Sequence, residues 1–183
     1  RIFWQQSVFV ADGGIYYTDP AGDFFRYDIE DDSARIICAG LGAARCIAHE
    51  GMLYYIGSGQ GQESAVYYRA LDGSDAEPRF LCDAGGQMAV LSLNAWRDTL
   101  YYARARYAES GGLSDWEICS AGLALDGVDT LFTAPDPGGS IGGLNLTVRD
   151  GKPLLVFLYR GNNEQSWTIC ELDPATGEVT AAA

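Results

Sequence analysis

Short runs of alternating apolar and polar residues, rich in Tyr, Phe, Val and Ile and separated by acidic-Gly pairs, recur along the whole chain. The clearest copy is Gly51-Met52-Leu53-Tyr54-Tyr55-Ile56, followed by Ala65-Val66-Tyr67-Tyr68-Arg69-Ala70-Leu71-Asp72-Gly73 and then Arg79-Phe80-Leu81-Cys82. Runs of this length with a period of two, closed by Asp-Gly, predict strand, turn, strand and contain no helical period.

The same order appears four times. The first copy has Val8-Phe9-Val10, a turn at Asp12-Gly13, Ile15-Tyr16-Tyr17, Phe24-Phe25-Arg26-Tyr27 and Ala34-Arg35-Ile36-Ile37-Cys38. The second has Cys46-Ile47-Ala48-His49, a turn at Glu50-Gly51, and the runs named above. The third has Leu91 to Trp96, Leu100-Tyr101-Tyr102, Trp116-Glu117-Ile118-Cys119 and Thr130-Leu131-Phe132. The fourth has Leu144 to Val148, a turn at Asp150-Gly151, Leu154 to Tyr159, Trp167 to Leu172 and Glu178-Val179-Thr180; it lacks the tyrosine pair, which leaves its register open.

Four copies of a four-stranded unit, roughly 40 to 50 residues apart, predict an all-β chain: a β-propeller of four antiparallel blades. The whole chain, 1–183, reads as one such domain, with repeats at about 7–40, 46–85, 91–135 and 144–183. Four blades can close a ring, and a complete four-bladed domain is the preferred expectation. A segment of a larger ring satisfies the same pattern. Successive strand residues face opposite sides, so each tyrosine pair is expected to pack against both adjacent blades, each buried ring contributing roughly 1.5–3 kcal/mol.

Having both Ile15-Tyr16-Tyr17, Leu53-Tyr54-Tyr55 and Leu100-Tyr101-Tyr102 and the run Tyr68-Arg69-Ala70-Leu71-Asp72-Gly73, the chain resembles a family of bacterial propeller repeats. That family is itself described as similar to the low-density-lipoprotein-receptor-related propeller and occurs in envelope proteins of Firmicutes. The resemblance implies an exported or membrane-anchored, extracytoplasmic protein and no particular activity. The tail Leu172-Asp173-Pro174-Ala175-Thr176-Gly177 is similar to a turn of quinoprotein-like propellers, but Asp-Pro followed by Gly is turn chemistry in itself and implies no quinone.

Composition narrows the function classes. Twelve Lys plus Arg against 25 Asp plus Glu give a net charge of −13, which repels a phosphate backbone and argues against nucleic acid. No apolar run reaches the ~20 residues of a bilayer span, so direct membrane insertion by this segment is not expected. The chain opens on Arg1-Ile2-Phe3-Trp4 without an initiator Met or a signal-peptide pattern, and is expected to be a fragment. Five cysteines cannot all pair with one another, and Cys119 and Cys170, like Cys38 and Cys82, recur at matched strand positions, which favours packing over a disulfide or metal framework.

No catalytic constellation stands out. His49 is the only histidine and has no nucleophile motif beside it. The acidic run Asp28-Ile29-Glu30-Asp31-Asp32 lacks the spacing of a calcium loop and reads as a solvated turn. The predicted innermost strands carry no Asp or Glu, which weighs against a glycosidase built on facing carboxylates, although loop carboxylates leave a carbohydrate-active enzyme open as the alternative. The Gly-rich stretches Gly57 to Gly61 and Gly138 to Gly143 precede no helix and read as flexible connectors, not phosphate cradles.

The connections between the second and third strands of each unit, and between units, are the longer ones: Gly57 to Ser64, Ala103 to Ser114, Pro135 to Gly143 and Arg160 to Gln165. Loops on a rigid scaffold are where binding surfaces are built. The candidate site is therefore Arg104, Arg106, Tyr107 and Asp115 of the third repeat with Asn162 and Asn163 of the fourth. The expected partner is a protein, peptide or glycan, with no metal or cofactor. A spacer or assembly role, with association through an exposed blade edge, is the other reading.

Overall fold

A computed structural model describes residues 8–11, 13–39, 46–57, 65–74, 77, 79–83, 88–109, 112–123 and 127–182. The opening stretch Arg1 to Trp4, Asp12, residues 58–64, Pro78 and Asp126 lie outside them. Sixteen strands are present among the described residues, and they form four separate four-stranded sheets. Blade 1 comprises β1 (Val8–Ala11), β2 (Gly14–Thr18), β3 (Phe24–Asp28) and β4 (Ser33–Cys38). Blade 2 comprises β5 (Cys46–His49), β6 (Met52–Gly57), β7 (Ala65–Ala70) and β8 (Arg79–Asp83). Blade 3 comprises β9 (Met88–Trp96), β10 (Thr99–Tyr107), β11 (Leu113–Gly122) and β12 (Val128–Thr133). Blade 4 comprises β13 (Ser140–Arg149), β14 (Lys152–Arg160), β15 (Thr168–Leu172) and β16 (Val179–Ala181).

Each sheet is an antiparallel meander with its strands in chain order. The first strands of successive blades lie against one another, β1 on β5, β5 on β9 and β9 on β13, so they form the inner side of the stack. Asn94 of β9 ties two of them by donating to the Leu144 carbonyl of β13 at 3.1 Å. This is a β-propeller architecture of four blades.

The short hairpins follow from backbone chemistry. Glu50-Gly51 and Asp150-Gly151 both have positive φ at each position (48° and 74°, 52° and 73°), the geometry a two-residue turn needs to match strand twist. Asp72 instead accepts the Ser74 amide at 2.8 Å, closing its own turn around Gly73.

Three hydrophobic clusters fill the three seams. Tyr16, Phe24, Ile37 and Cys38 of blade 1 meet Cys46, Leu53 and Tyr55 of blade 2. Tyr54 and Val66 of blade 2 meet Leu93, Leu100, Tyr102 and Cys119 of blade 3. Tyr101, Ala103 and Ile118 of blade 3 meet Leu144, Leu155, Phe157 and Cys170 of blade 4. The first tyrosine of each pair thus faces the following blade and the second the preceding one, as strand alternation requires. Stacked cross-strand rings, Tyr16 on Phe24 at 5.9 Å and Tyr55 on Tyr67 at 5.8 Å, reinforce the first seam.

The register of blade 4 is now fixed. Phe157 pairs with Cys170 as Tyr102 pairs with Cys119, so Val156-Phe157 occupies the place of the tyrosine pair. Among the described residues Cys38, Cys46, Cys119 and Cys170 are buried, filling seams as small hydrophobes. His49 lies at the hairpin end of blade 2, its Nε2 2.8 Å from the Arg97 carbonyl in the β9–β10 turn, which fastens blade 2 to blade 3.

Two connections differ from expectation. Ala103 to Ser114 is largely strand: β10 runs on to Tyr107, β11 begins at Leu113, and the Ala108 amide donates to the Gly112 carbonyl at 2.8 Å to close the hairpin. Ala103 and Ala105 continue the buried alternation, but as alanines they give little hydrophobic signal. Likewise Ser140 to Gly143 belongs to β13, with a bulge between Gly142 and Asn145 where Gly143 has φ 58°.

Tyr102 is fully buried between blades 2 and 3, so Tyr102→Ala is expected to cost about 3–5 kcal/mol, read by denaturant unfolding. The Tyr55 phenol is pushed up to about 12, mainly by burial and further by neighbouring Cys38. In the unfolded chain a tyrosine ionises near ~10. The stability this group contributes is therefore intact below pH 10 and lost as pH rises towards 12. Melting temperature should fall across that window, and less so in Tyr55→Phe.

Candidate binding rim

The stack has two rims. One carries the tight hairpins after the first strands and the connections after the third. The other carries the β2–β3, β6–β7, β10–β11 and β14–β15 connections and the links between blades. The longest strands belong to blades 3 and 4: β9, β10 and β14 have 9 residues and β11 and β13 have 10, against 4 to 6 in blades 1 and 2. The extra length of β10 and β11 extends blade 3 at the second rim, which is where the candidate residues sit.

On blade 3 they form a cross-strand ladder of charge. Arg104 Nε donates to Glu117 Oε2 at 2.7 Å, half-buried on the side facing blade 2. Burial by itself lowers the Arg104 pKa, but Cys119 and the hydrogen-bonded Glu117 outweigh it and hold the cation firmly. One step further out, Arg106 Nε lies 3.4 Å from Asp115 Oδ2, both side chains more than half exposed. Tyr107, 41% exposed, ends the strand.

Backbone strain places Asp115. The β10–β11 register shifts between Arg104, opposite Glu117, and Arg106, opposite Ser114, so β11 holds an extra residue. Asp115 takes up that extra residue with φ 49°. Among the described residues the other non-glycine positive-φ positions, Asp32, Glu50, Arg97 and Asp150, all lie in hairpin turns. Such a bulge bends the strand and redirects its side chain, here onto Arg106. The next residue, Trp116, accepts the Ala134 amide on its carbonyl at 2.8 Å, which anchors the link to blade 4.

The blade 4 group is built separately on the same rim. The Tyr159 hydroxyl donates to Asp136 Oδ2 at 3.0 Å, and burial followed by that bond raises its pKa. Asn162 lies over Gly138, where a Cβ would come within 3.0 Å of its Oδ1, so this glycine admits the amide. Glu164 accepts the Gly161 amide at 3.2 Å and closes the turn that presents exposed Asn162 and Asn163. Arg160 stacks over Trp167 at 4.8 Å.

Arg104, Arg106, Asp115, Tyr107, Asn162 and Asn163 therefore share one rim on adjacent blades, in two groups. Glu117, Asp136, Tyr159 and Glu164 belong to the same groups and were not anticipated. Glu117 shows itself only once the strand pairing that opposes it to Arg104 is known. Among the described residues no set of three or more His, Cys, Asp or Glu comes close enough to hold a metal ion. The acidic turn of blade 1 is spanned by its own bonds, Tyr27 to Asp32 and the Glu30 amide to Asp28.

Because Asp115 holds a left-handed conformation, Asp115→Val is expected to destabilise by about 1–3 kcal/mol. Asp115→Gly, free of that strain, should stay within about 1 kcal/mol of the parent. Denaturant unfolding of both variants measures the strain.

No protein-family model matches the sequence, and no curated protein matches it either. Solved structures do match. A nidogen/laminin complex superposes with a TM-score of 0.64 at 17% identity, over 93% of this chain and 60% of that one. A prolyl endopeptidase gives 0.65 at 16% identity over 92% of this chain and 24% of that one. An oligogalacturonate lyase from Vibrio parahaemolyticus gives 0.65 at 11% identity over 95% and 51%. The chain thus spans less than two thirds of each of these three structures. At such identities the likeness establishes the β-propeller fold and nothing of the activity.

Proposed function

We propose that the chain is a non-catalytic propeller module that binds a protein, peptide or glycan partner through the second rim of blades 3 and 4. The observation that carries this reading is the exposed Arg106–Asp115 pair beside Tyr107, set by a strained bulge on an extended hairpin. Strain kept at an exposed position fits a binding surface better than a purely structural one, and Arg and Tyr are among the residue types enriched at interface hot spots. Asn162 and Asn163 add amide donors and acceptors on the next blade, suited to a peptide backbone or sugar hydroxyls. The nidogen/laminin neighbour is a propeller in a protein complex, which supports a protein partner. An extracytoplasmic location is part of the same proposal and rests on the resemblance of the repeats.

The lyase and endopeptidase neighbours make an enzyme the competing reading. Thermal unfolding against peptide pools, peptidoglycan fragments, host glycans and calcium separates the two. A binding module shows a saturable rise in melting temperature with one ligand class and no product formation. The double variant Arg106→Ala/Tyr107→Ala should then weaken that ligand by about 10- to 100-fold, while its own melting temperature stays near the parent value. Unchanged affinity in the double variant rejects the rim assignment, and ligand turnover rejects the non-catalytic reading.

A further inference from the structure

The repeat register exposes a mismatch between inner and outer blades. Phe24, Val66 and Ile118 hold the same place in the third strand of blades 1, 2 and 3; all are 0% exposed, each packed on the following blade. Their counterpart in blade 4, Ile169, is 51% exposed. At the other end, Val8 of blade 1 is 63% exposed, whereas its counterparts Cys46 and Leu93, opposite Tyr55 and Tyr102, are 7% exposed against the preceding blade. Val10, at 71%, repeats the contrast with half-buried Ala48 and Ala95. The rear face of blade 1 (Val8, Val10, Ile15, Tyr17, Phe25, Ile36) and the forward face of blade 4 (Val156, Leu158, Trp167, Ile169) are thus two halves of one more seam.

Charge matches along that seam. At the hairpin rim of blade 4's forward face stand Arg149, bonded to Glu171 at 2.7 and 2.9 Å, and Lys152. On the same rim of blade 1 lies the exposed acidic turn Glu30-Asp31-Asp32, with Asp32 held by Tyr27 of the rear face. The two faces belong to one chain and yet stay open.

We propose that a second copy of this chain fills both faces: the forward face of blade 4 in each copy packs on the rear face of blade 1 in the other, closing a two-fold ring of eight blades. This interface joins different faces but is satisfied at two copies, so it terminates rather than polymerising. It differs from association through blade edges, since no strand pairing is added.

Light scattering on the eluting protein, and sedimentation equilibrium, test this. The expected mass is twice the 19.7 kDa chain. Val10→Asp and Ile169→Asp should each give a monomer whose circular dichroism matches the parent, because both sites are on the surface of the single chain, and whose melting temperature is lower because the stabilisation by association is lost. Mixed one to one, the two variants should re-form a dimer, since one intact face remains on each. A parent protein that stays at the single-chain mass up to its solubility limit overturns the proposal, and assigns the faces to blades outside this chain. A dimer insensitive to either substitution, or a mixture that stays monomeric, overturns it as well.

Discussion

Everything in this molecule depends on the fact that a four-stranded sheet with side chains on both sides has two apolar faces and can bury only one against a single neighbour. Aromatic pairs place one ring on each face, so the sheet is satisfied only when sandwiched. Tyr54 and Tyr55, or Tyr101 and Tyr102, are thereby committed to opposite neighbours, and the blades stack because no blade can fold alone at acceptable cost. The tight acidic-Gly hairpins then serve geometry alone: they keep each sheet narrow enough to be covered.

Function-bearing variation is confined by the same requirement. Seam positions are mostly apolar, down to the cysteines that act as small fillers, with Thr18 and Arg69 buried among them. What remains free to vary is the rim away from the hairpins, where blades 3 and 4 extend their strands and where Asp115 is held in a conformation that costs energy. The single histidine, by contrast, is absorbed into a seam through the Arg97 carbonyl and contributes to cohesion.

The architecture was legible because the period-two alternation and the hairpin turns are local signals. Tyr16, Tyr54 and Tyr101 announce the blades, and the acidic-Gly pairs mark where strands reverse. What the sequence concealed has physical reasons. Ala103, Ala105 and Gly142 lie within strands but carry too little apolar surface to show the alternation, so β10 and β13 seemed to end early or start late. The Glu117 partner of Arg104 depends on a cross-strand register displaced by a bulge, which no local pattern encodes. The exposed faces at Val8 and Ile169 were equally hidden, since a strand alternates in the same way whether or not a neighbour covers it.

Such a stack is close to one-dimensional, each blade touching only those beside it. Within a single chain, blades 2 and 3 are held at two seams and blades 1 and 4 at one, so in the monomer opening should begin at the ends and travel inward, leaving the Tyr102 seam as the last to exchange its amide protons. The candidate rim straddles blades 3 and 4, and so spans a durable unit and a more readily opened one. A ligand that grips both would act as a clasp, transmitting the firmness of the centre to the end of the stack.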